Sequence, residues 1–310
     1  MAYLREVRHF ALGVLGAAIV LGVALGWWCS GLMLRPVDQV RAFAASLGRG
    51  EYGMHVEVRG APEMRRLLED MNRMATELSN AELRLHERTV RMAEMRDPKE
   101  TGPHVKRVSG MSLELFEGWL SRHPMGEREA AIARHRLRSA ALLHDVGKVA
   151  IEDAVLKKPG KLDAAEYANM QHHGIIGAGK VLTGDDEQDK ASREVALHHH
   201  ERWDGKGYPG RADVASAHGE LDALRALPIP ATGLSGAEIP LFARIVAMAD
   251  VFDALSSRRS YKEPWPEEKV LQTMRDEAGK AFDPELVEIF VERFDRVKAA
   301  WAAHPDRHAV

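Results

Sequence analysis

The alternation of apolar and polar positions divides the chain into three stretches. In the first, Phe10–Leu34 carries no charged residue. A helix needs about 20 apolar residues to cross a bilayer, and this run exceeds that length. Trp27 and Trp28 sit toward one end, where interfacial aromatics belong. A cleaved signal peptide is the competing reading, because Arg5 and Arg8 precede the run. The run is long for such a leader, however, and no small-x-small cleavage site follows it. Gly26, Trp27 and Trp28 also make a poor lipoprotein site before Cys29. The first stretch therefore reads as a single-pass transmembrane anchor over residues 1–34. Arg5 and Arg8 on one side and Arg35 and Arg41 on the other leave orientation weakly specified. With nine residues before the span, the sequence predicts either no external sensor or an N-terminus further upstream.

The second stretch, residues 35–88, has two helical stripes. Val37, Val40, Ala44 and Leu47 mark a short helix, which Gly48, Gly50 and Gly53 interrupt. Leu67, Met71, Met74, Leu78, Ala81 and Leu85 then recur at alternating steps of four and three, extending through Met92 and Met95. Such a heptad seam predicts a coiled coil and a parallel homodimer. Pro36, the Pro62-Glu63-Met64 start and the Asn72-Arg73-Met74 segment make this helix–connector–helix resemble a HAMP module. A plain coiled-coil stalk is the simpler alternative.

From about residue 97 the pattern is helical, with little β-type alternation, so the fold class is all-α. Composition adds one unusual number. The chain has fifteen histidines, many of them between His144 and His200. Histidine is the commonest metal ligand. One cysteine excludes an intrachain disulfide, and a net charge of −3 suggests no nucleic-acid partner.

His144-Asp145 lies in the apolar stretch AALLHDVGKV. A buried imidazole–carboxylate pair is costly unless something satisfies both groups, and a metal does so. Alone, the dipeptide reads better as a hydrogen-bonded core histidine. Glu100 and His104 would share a face if helical, yet alone they read better as a solvated pair. His172-His173 precede Gly174 and Gly177, His199-His200 precede Glu201, and Asp250 interrupts the apolar helix ARIVAMADVFDAL. Each feature has an ordinary explanation, but a shared metal centre accounts for all of them.

HDVGK at 144–148, HHERWDGKGYP at 199–209, IPL at 239–241, ARIVAMADVFDALSSRRSYK at 243–262 and FDP at 282–284 resemble the HD-GYP family. The resemblance covers about residues 97–295. It implies an HD-domain helical bundle, with the catalytic domain at 89–300, that hydrolyses cyclic di-GMP to pGpG and/or GMP in the bacterial cytoplasm beneath the inner membrane. It also implies metal ligands at Glu100, His104, His144, Asp145, His173, His199, His200 and Asp250. These would hold two or three divalent ions, with iron or manganese favoured. The catalytic set is His144, Asp145 and Lys148, with Asp145 expected to bridge the ions. Lys148, Arg259 and Lys262 are expected to contact phosphate. Gly207, Tyr208 and Pro209 are expected to line the substrate site and to offer a docking loop for protein partners. Glu201 and Asp204 are expected to orient ligands.

The chain departs from the family pattern in three places. About 22 extra residues follow Pro209, expected to form a lid or shift substrate access. A shorter expansion around SRHPMGEREAAIARH is expected only to extend a helix or loop. Ser260 stands where proline is usual. The competing functions are a dinucleotide receptor without turnover and an HD hydrolase of another cyclic dinucleotide. A histidine kinase or chemoreceptor finds no ATP-binding glycine motif or methyl-accepting heptad array in support.

Overall fold

The computed structural model describes residues 2–58, 62–94, 96, 102–257 and 263–305. Twelve α-helices occur among them. In chain order these are α1 (Ala2–Gly48), α2 (Pro62–Glu94), α3 (Gly102–Arg122), α4 (Glu127–Leu143), α5 (Asp153–Leu156), α6 (Ala164–Ile176), α7 (Glu187–His198), α8 (Leu221–Ala226), α9 (Leu241–Ser256), α10 (Glu267–Asp276), α11 (Pro284–Glu292) and α12 (Phe294–Ala302). Among the described residues, β pairing is limited to an isolated bridge between Ala278 and Phe282. The all-α expectation holds.

The chain forms two compact units. One comprises Met1–Arg49 with His55–Thr76. Within α1, Arg5–Trp28 is long and apolar enough to cross a membrane, and none of that window is buried. The helix passes through Pro36 without interruption, where the sequence pattern suggested a new start, and ends at Gly48. Phe43, Leu47, Leu68 and Ala75 are buried here. The Asn72 side chain clips the connector, accepting from Val56 N at 2.8 Å and donating to Val56 O at 2.9 Å.

Most of the heptad seam lies on the surface of the single chain. Leu67, Met74, Leu78 and Leu85 are exposed, whereas Leu68, Ala75, Leu83 and Val90 are buried. Val37 and Ala44, on the apolar stripe of the first helix, are exposed too. The reason is that α2 carries two apolar faces, and a single chain covers one of them.

The second unit comprises Gly50–Met54 with Glu77–Val310. Helix α3 lies at its centre, with α4, α9, α11 and α12 packed around it and α7 packed on α4 and α9. Val108, Met111, Leu115 and Phe116 of α3 join Leu137, Ala140 and Ala141 of α4, and Ile245, Val246 and Met248 of α9, in one core. Full burial of each large side chain contributes about 1.5–3 kcal/mol. Asp283 accepts from Glu285 N at 2.9 Å, and Pro284 opens α11, so the FDP motif is a helix start.

A smaller core joins Ile151, Val155, Leu156, Ile175 and Ile176 to Ala217 and Leu224. The last two belong to the extra segment after Pro209. That segment is folded: α8 packs on α6, Arg225 Nη2 donates to Ala150 O at 2.6 Å, and His172 Nε2 lies 3.0 Å from Leu227 O. It therefore supports the outer side of the helix that carries His173. The shorter expansion supplies the turn between α3 and α4 and the first turns of α4, as expected.

Candidate metal centre

Two clusters of ligand-competent side chains form where α4, α6 and α7 approach α3 and α9. Asp145, His173, His199 and His200 make one group, and His104, His144 and Asp250 the other; in each, the ligand atoms lie within 4.8 Å of one another. Asp145 joins the two. Its Oδ2 is 3.0 Å from His144 Nε2, while its Oδ1 is 3.2 Å from His173 Nε2 and 3.6 Å from His199 Nε2. On the other side, His104 Nε2 is 3.6 Å from Asp250 Oδ1.

Helix geometry sets the tautomers. His144 closes α4, and its Nδ1 donates to Ala141 O at 2.8 Å. His199 closes α7, with Nδ1 at 3.0 Å from Val195 O. His173 Nδ1 donates to Met170 O at 2.7 Å. Carbonyls near helix C-termini lack some of their intrahelical partners and take these protons. With Nδ1 protonated, each Nε2 presents a lone pair inward. His173 Nε2, His199 Nε2 and Asp145 Oδ1 are buried and make no hydrogen bond. Lone pairs facing one another at such distances call for a cation between them. The donor set is imidazole and carboxylate without thiolate, which suits iron, manganese or similar borderline ions.

The electrostatics agree. Burial pushes His199 and His200 below the ordinary imidazole value, favouring the neutral form that ligates. Burial also works against the Asp145 charge. The Lys148 ammonium, 2.8 Å from Oδ2, opposes that effect, and the carboxyl is held well below the usual range.

A ring of supporting contacts surrounds the clusters. His104 Nδ1 donates to Asp253 Oδ2 at 2.7 Å. Asp253 also accepts from Arg107, from Ser257 Oγ at 3.1 Å and from Trp301 Nε1 at 2.9 Å. Burial opposes the Asp253 charge, but His104 and Arg107 hold its carboxyl well below the usual range. Sequence reasoning passed over Asp253, although the available signal was the one that marked Asp250: a carboxylate in an apolar helix.

Glu201 does not touch the ligand histidines through its hydrogen bonds. Its Oε1 accepts from Gly210 N at 2.6 Å and its Oε2 from Leu234 N at 3.0 Å, fastening the GYP loop. Asp204 pairs with Arg202 and accepts from Lys206 N, so it belongs to the loop as well. Within that loop a Cβ at Gly207 would lie 2.4 Å from Arg202 N, which requires glycine. The Tyr208–Pro209 peptide is cis, and the Tyr208 ring stacks on His200 with centroids 4.9 Å apart. A Cβ at Gly147 would lie 1.9 Å from His173 O, so glycine lets the HDVGK turn approach α6.

The structure thus brings together His104, His144, Asp145, His173, His199, His200, Asp250 and Lys148, with Tyr208 beside them. Glu100, Arg259 and Lys262 lie outside the described residues. His172 faces Ala168 O and Leu227 O rather than the clusters.

Comparisons with known proteins identify the family. Two family models, both described as HD domain, match residues 101–255 and 229–286. The chain is 39% identical over 208 residues to the 3'3'-cGAMP-specific phosphodiesterase 2 of Vibrio cholerae, covering 67% of this chain and 34% of that protein. It is 37% identical over 200 residues to a cyclic di-GMP phosphodiesterase of Thermotoga maritima, covering 64% and 46%. It is 36% identical over 289 residues to the cyclic di-GMP phosphodiesterase response regulator RpfG of Xanthomonas campestris pv. campestris, covering 92% and 67%. The chain spans less than half the length of the first two of these relatives. The chain belongs to the HD domain family, and its motif order is that of the HD-GYP type.

Proposed function

We propose that the protein is a metal-dependent phosphodiesterase that hydrolyses cyclic di-GMP to pGpG and/or GMP. The observation that carries this reading is Asp145, with one carboxylate oxygen toward His144 and the other toward His173 and His199. A carboxylate so placed suits a bridge between neighbouring cations. His173, His199 and His200 would hold one ion, and His104, His144 and Asp250 another. Glu100 would add a ligand for a third. Iron and manganese are the proposed metals. Bound cations would neutralise phosphate charge and acidify water.

The chain's own residues supply the rest. Lys148 holds Asp145 at 2.8 Å, and its ammonium is proposed to meet a phosphate oxygen. Arg259 and Lys262 are proposed phosphate contacts. The GYP loop, fastened by Glu201, forms one wall of the substrate site and a docking surface for partner proteins. Residues 1–34 are proposed to anchor the chain in the bacterial inner membrane with residues 89–300 in the cytoplasm. Residues 35–88 are proposed to act as a HAMP-like linker. The exposed seam at Leu67, Met74, Leu78 and Leu85 favours a parallel homodimer.

The test uses the full chain in detergent, with metal analysis and chromatographic assay of cyclic di-GMP products. Turnover that tracks bound metal is expected, and a metal-loaded protein that leaves cyclic di-GMP intact would overturn the substrate. A second substrate, 3'3'-cGAMP, belongs in the same assay because one of the relatives is named for it. Binding of cyclic di-GMP without turnover would mark a receptor.

A further inference from the structure

Among the described residues from Gly102 onward, large apolar or aromatic side chains are exposed at Met125, Tyr167 and Val251, and Tyr167 is the most exposed of them at 50%. It is also the one tied by a ring contact to the metal centre. Its ring meets Tyr208 edge to face, with centroids 6.3 Å apart and planes at 79°. Tyr208 in turn lies nearly parallel to His200, at 4.9 Å and 24°. The three rings make a run from a ligand imidazole outward, ending on an aromatic face open to solvent.

The backbone under Tyr167 is fixed. Asp163 accepts from Ala165 N and Glu166 N, and Glu166 returns a bond to Asp163 N, a reciprocal cap at the first turn of α6. Lys158 Nζ holds Glu166 at 2.7 Å, and Tyr167 N donates to Asp163 O at 2.8 Å. Six residues further along the same helix is His173, about 9 Å away along the axis. One helix therefore carries a metal ligand and, fewer than two turns before it, an outward aromatic. The half-exposed Tyr167 leaves part of its ring face in water, and a planar base stacked on it would cover that face.

We infer that Tyr167 is a substrate-specificity residue, supplying the face on which a purine base of the cyclic dinucleotide stacks while its phosphate sits at the metal centre. The inference rests on the phosphodiesterase reading above. Stacking tolerates either purine, so Tyr167 would contribute to binding both guanine- and adenine-containing cyclic dinucleotides.

The test compares wild type, Tyr167→Ala and Tyr167→Phe on cyclic di-GMP and on bis(4-nitrophenyl) phosphate, a diester without a purine. Tyr167→Ala is expected to raise KM for cyclic di-GMP about tenfold, equivalent to about 1.4 kcal/mol, with kcat nearly unchanged. The preference for cyclic di-GMP over bis(4-nitrophenyl) phosphate is expected to fall by the same factor, and Tyr167→Phe to restore it. Metal content measured alongside should match wild type in both variants. An alanine variant with wild-type KM, or one that loses both substrates equally, would overturn the role of Tyr167 alone. A wild-type protein that cleaves bis(4-nitrophenyl) phosphate but not cyclic di-GMP would overturn the substrate reading instead.

Discussion

Asp253 accepts the Nδ1 proton of His104 at 2.7 Å, although the two residues are 149 positions apart in sequence. This bond fixes the imidazole so that Nε2 faces Asp250, and Arg107 and Trp301 in turn fix the carboxylate. Asp253 and Arg107 are both almost fully buried, so removing one strands the other. Asp253→Ala should cost about 3–5 kcal/mol of stability, read as a fall in thermal midpoint. Asp253→Asn should fold better yet bind less metal at the His104 and Asp250 group. Full metal content in the asparagine variant would remove the orienting role.

Asp145 is the next target. Asp145→Asn should abolish turnover and lower bound metal at both groups, since the amide cannot bridge as a carboxylate does. Chelation of the wild type should do the same reversibly, with activity returning on addition of iron(II) or manganese(II). An asparagine variant that turns over substrate at the wild-type rate would refute the bridging assignment.

Glu201 gives a separable effect. Glu201→Gln keeps one oxygen for Gly210 N or Leu234 N but sets an N–H against the other. A loss of about 1–3 kcal/mol is expected, with faster hydrogen exchange at residues 207–210 and 234. Metal content should stay at its wild-type value. A change in metal content with undisturbed exchange would show that Glu201 acts on the ligands instead.

His86 of α2 predicts a pH dependence. Burial pushes its imidazole below the ordinary value, against opposing pulls from Glu82 and Asp189. The folded protein therefore binds fewer protons here than the unfolded chain does. The stability contribution is present above about pH 6.5 and is lost as pH falls from there toward the lower folded value. His86→Gln should therefore lose less thermal stability than wild type between pH 8 and pH 5.5. Parallel losses in the two proteins would show that His86 does not titrate as described.

Much of the site was legible because its motifs are short and local: His144-Asp145, His199-His200 and Asp250 each stand out against apolar helix. What escaped depended on distance or phase. Asp253 makes sense only once α3 and α12 fold back on α9. Glu201 sits beside two ligand histidines, yet its oxygens turn to Gly210 and Leu234, and no spacing rule reports that. Periodicity marks the exposed α2 seam at Leu67, Met74, Leu78 and Leu85, but the second apolar face, at Leu68, Ala75, Leu83 and Val90, shows only in the packing of the single chain. The extra segment after Pro209 showed only that it was long. Its burial of Leu224 against the Ile175 core is a tertiary fact.

The placement of His144 and His199 at the ends of α4 and α7, with His173 near the end of α6, has a consequence for assembly. Cations gripped there would clasp three separate helices at one knot, so loading would complete the fold as well as equip it for chemistry. A chain made under metal starvation would emerge with those ends loose, easier for proteases to cut. The abundance of the protein, and not just its turnover, would then follow the metal supply.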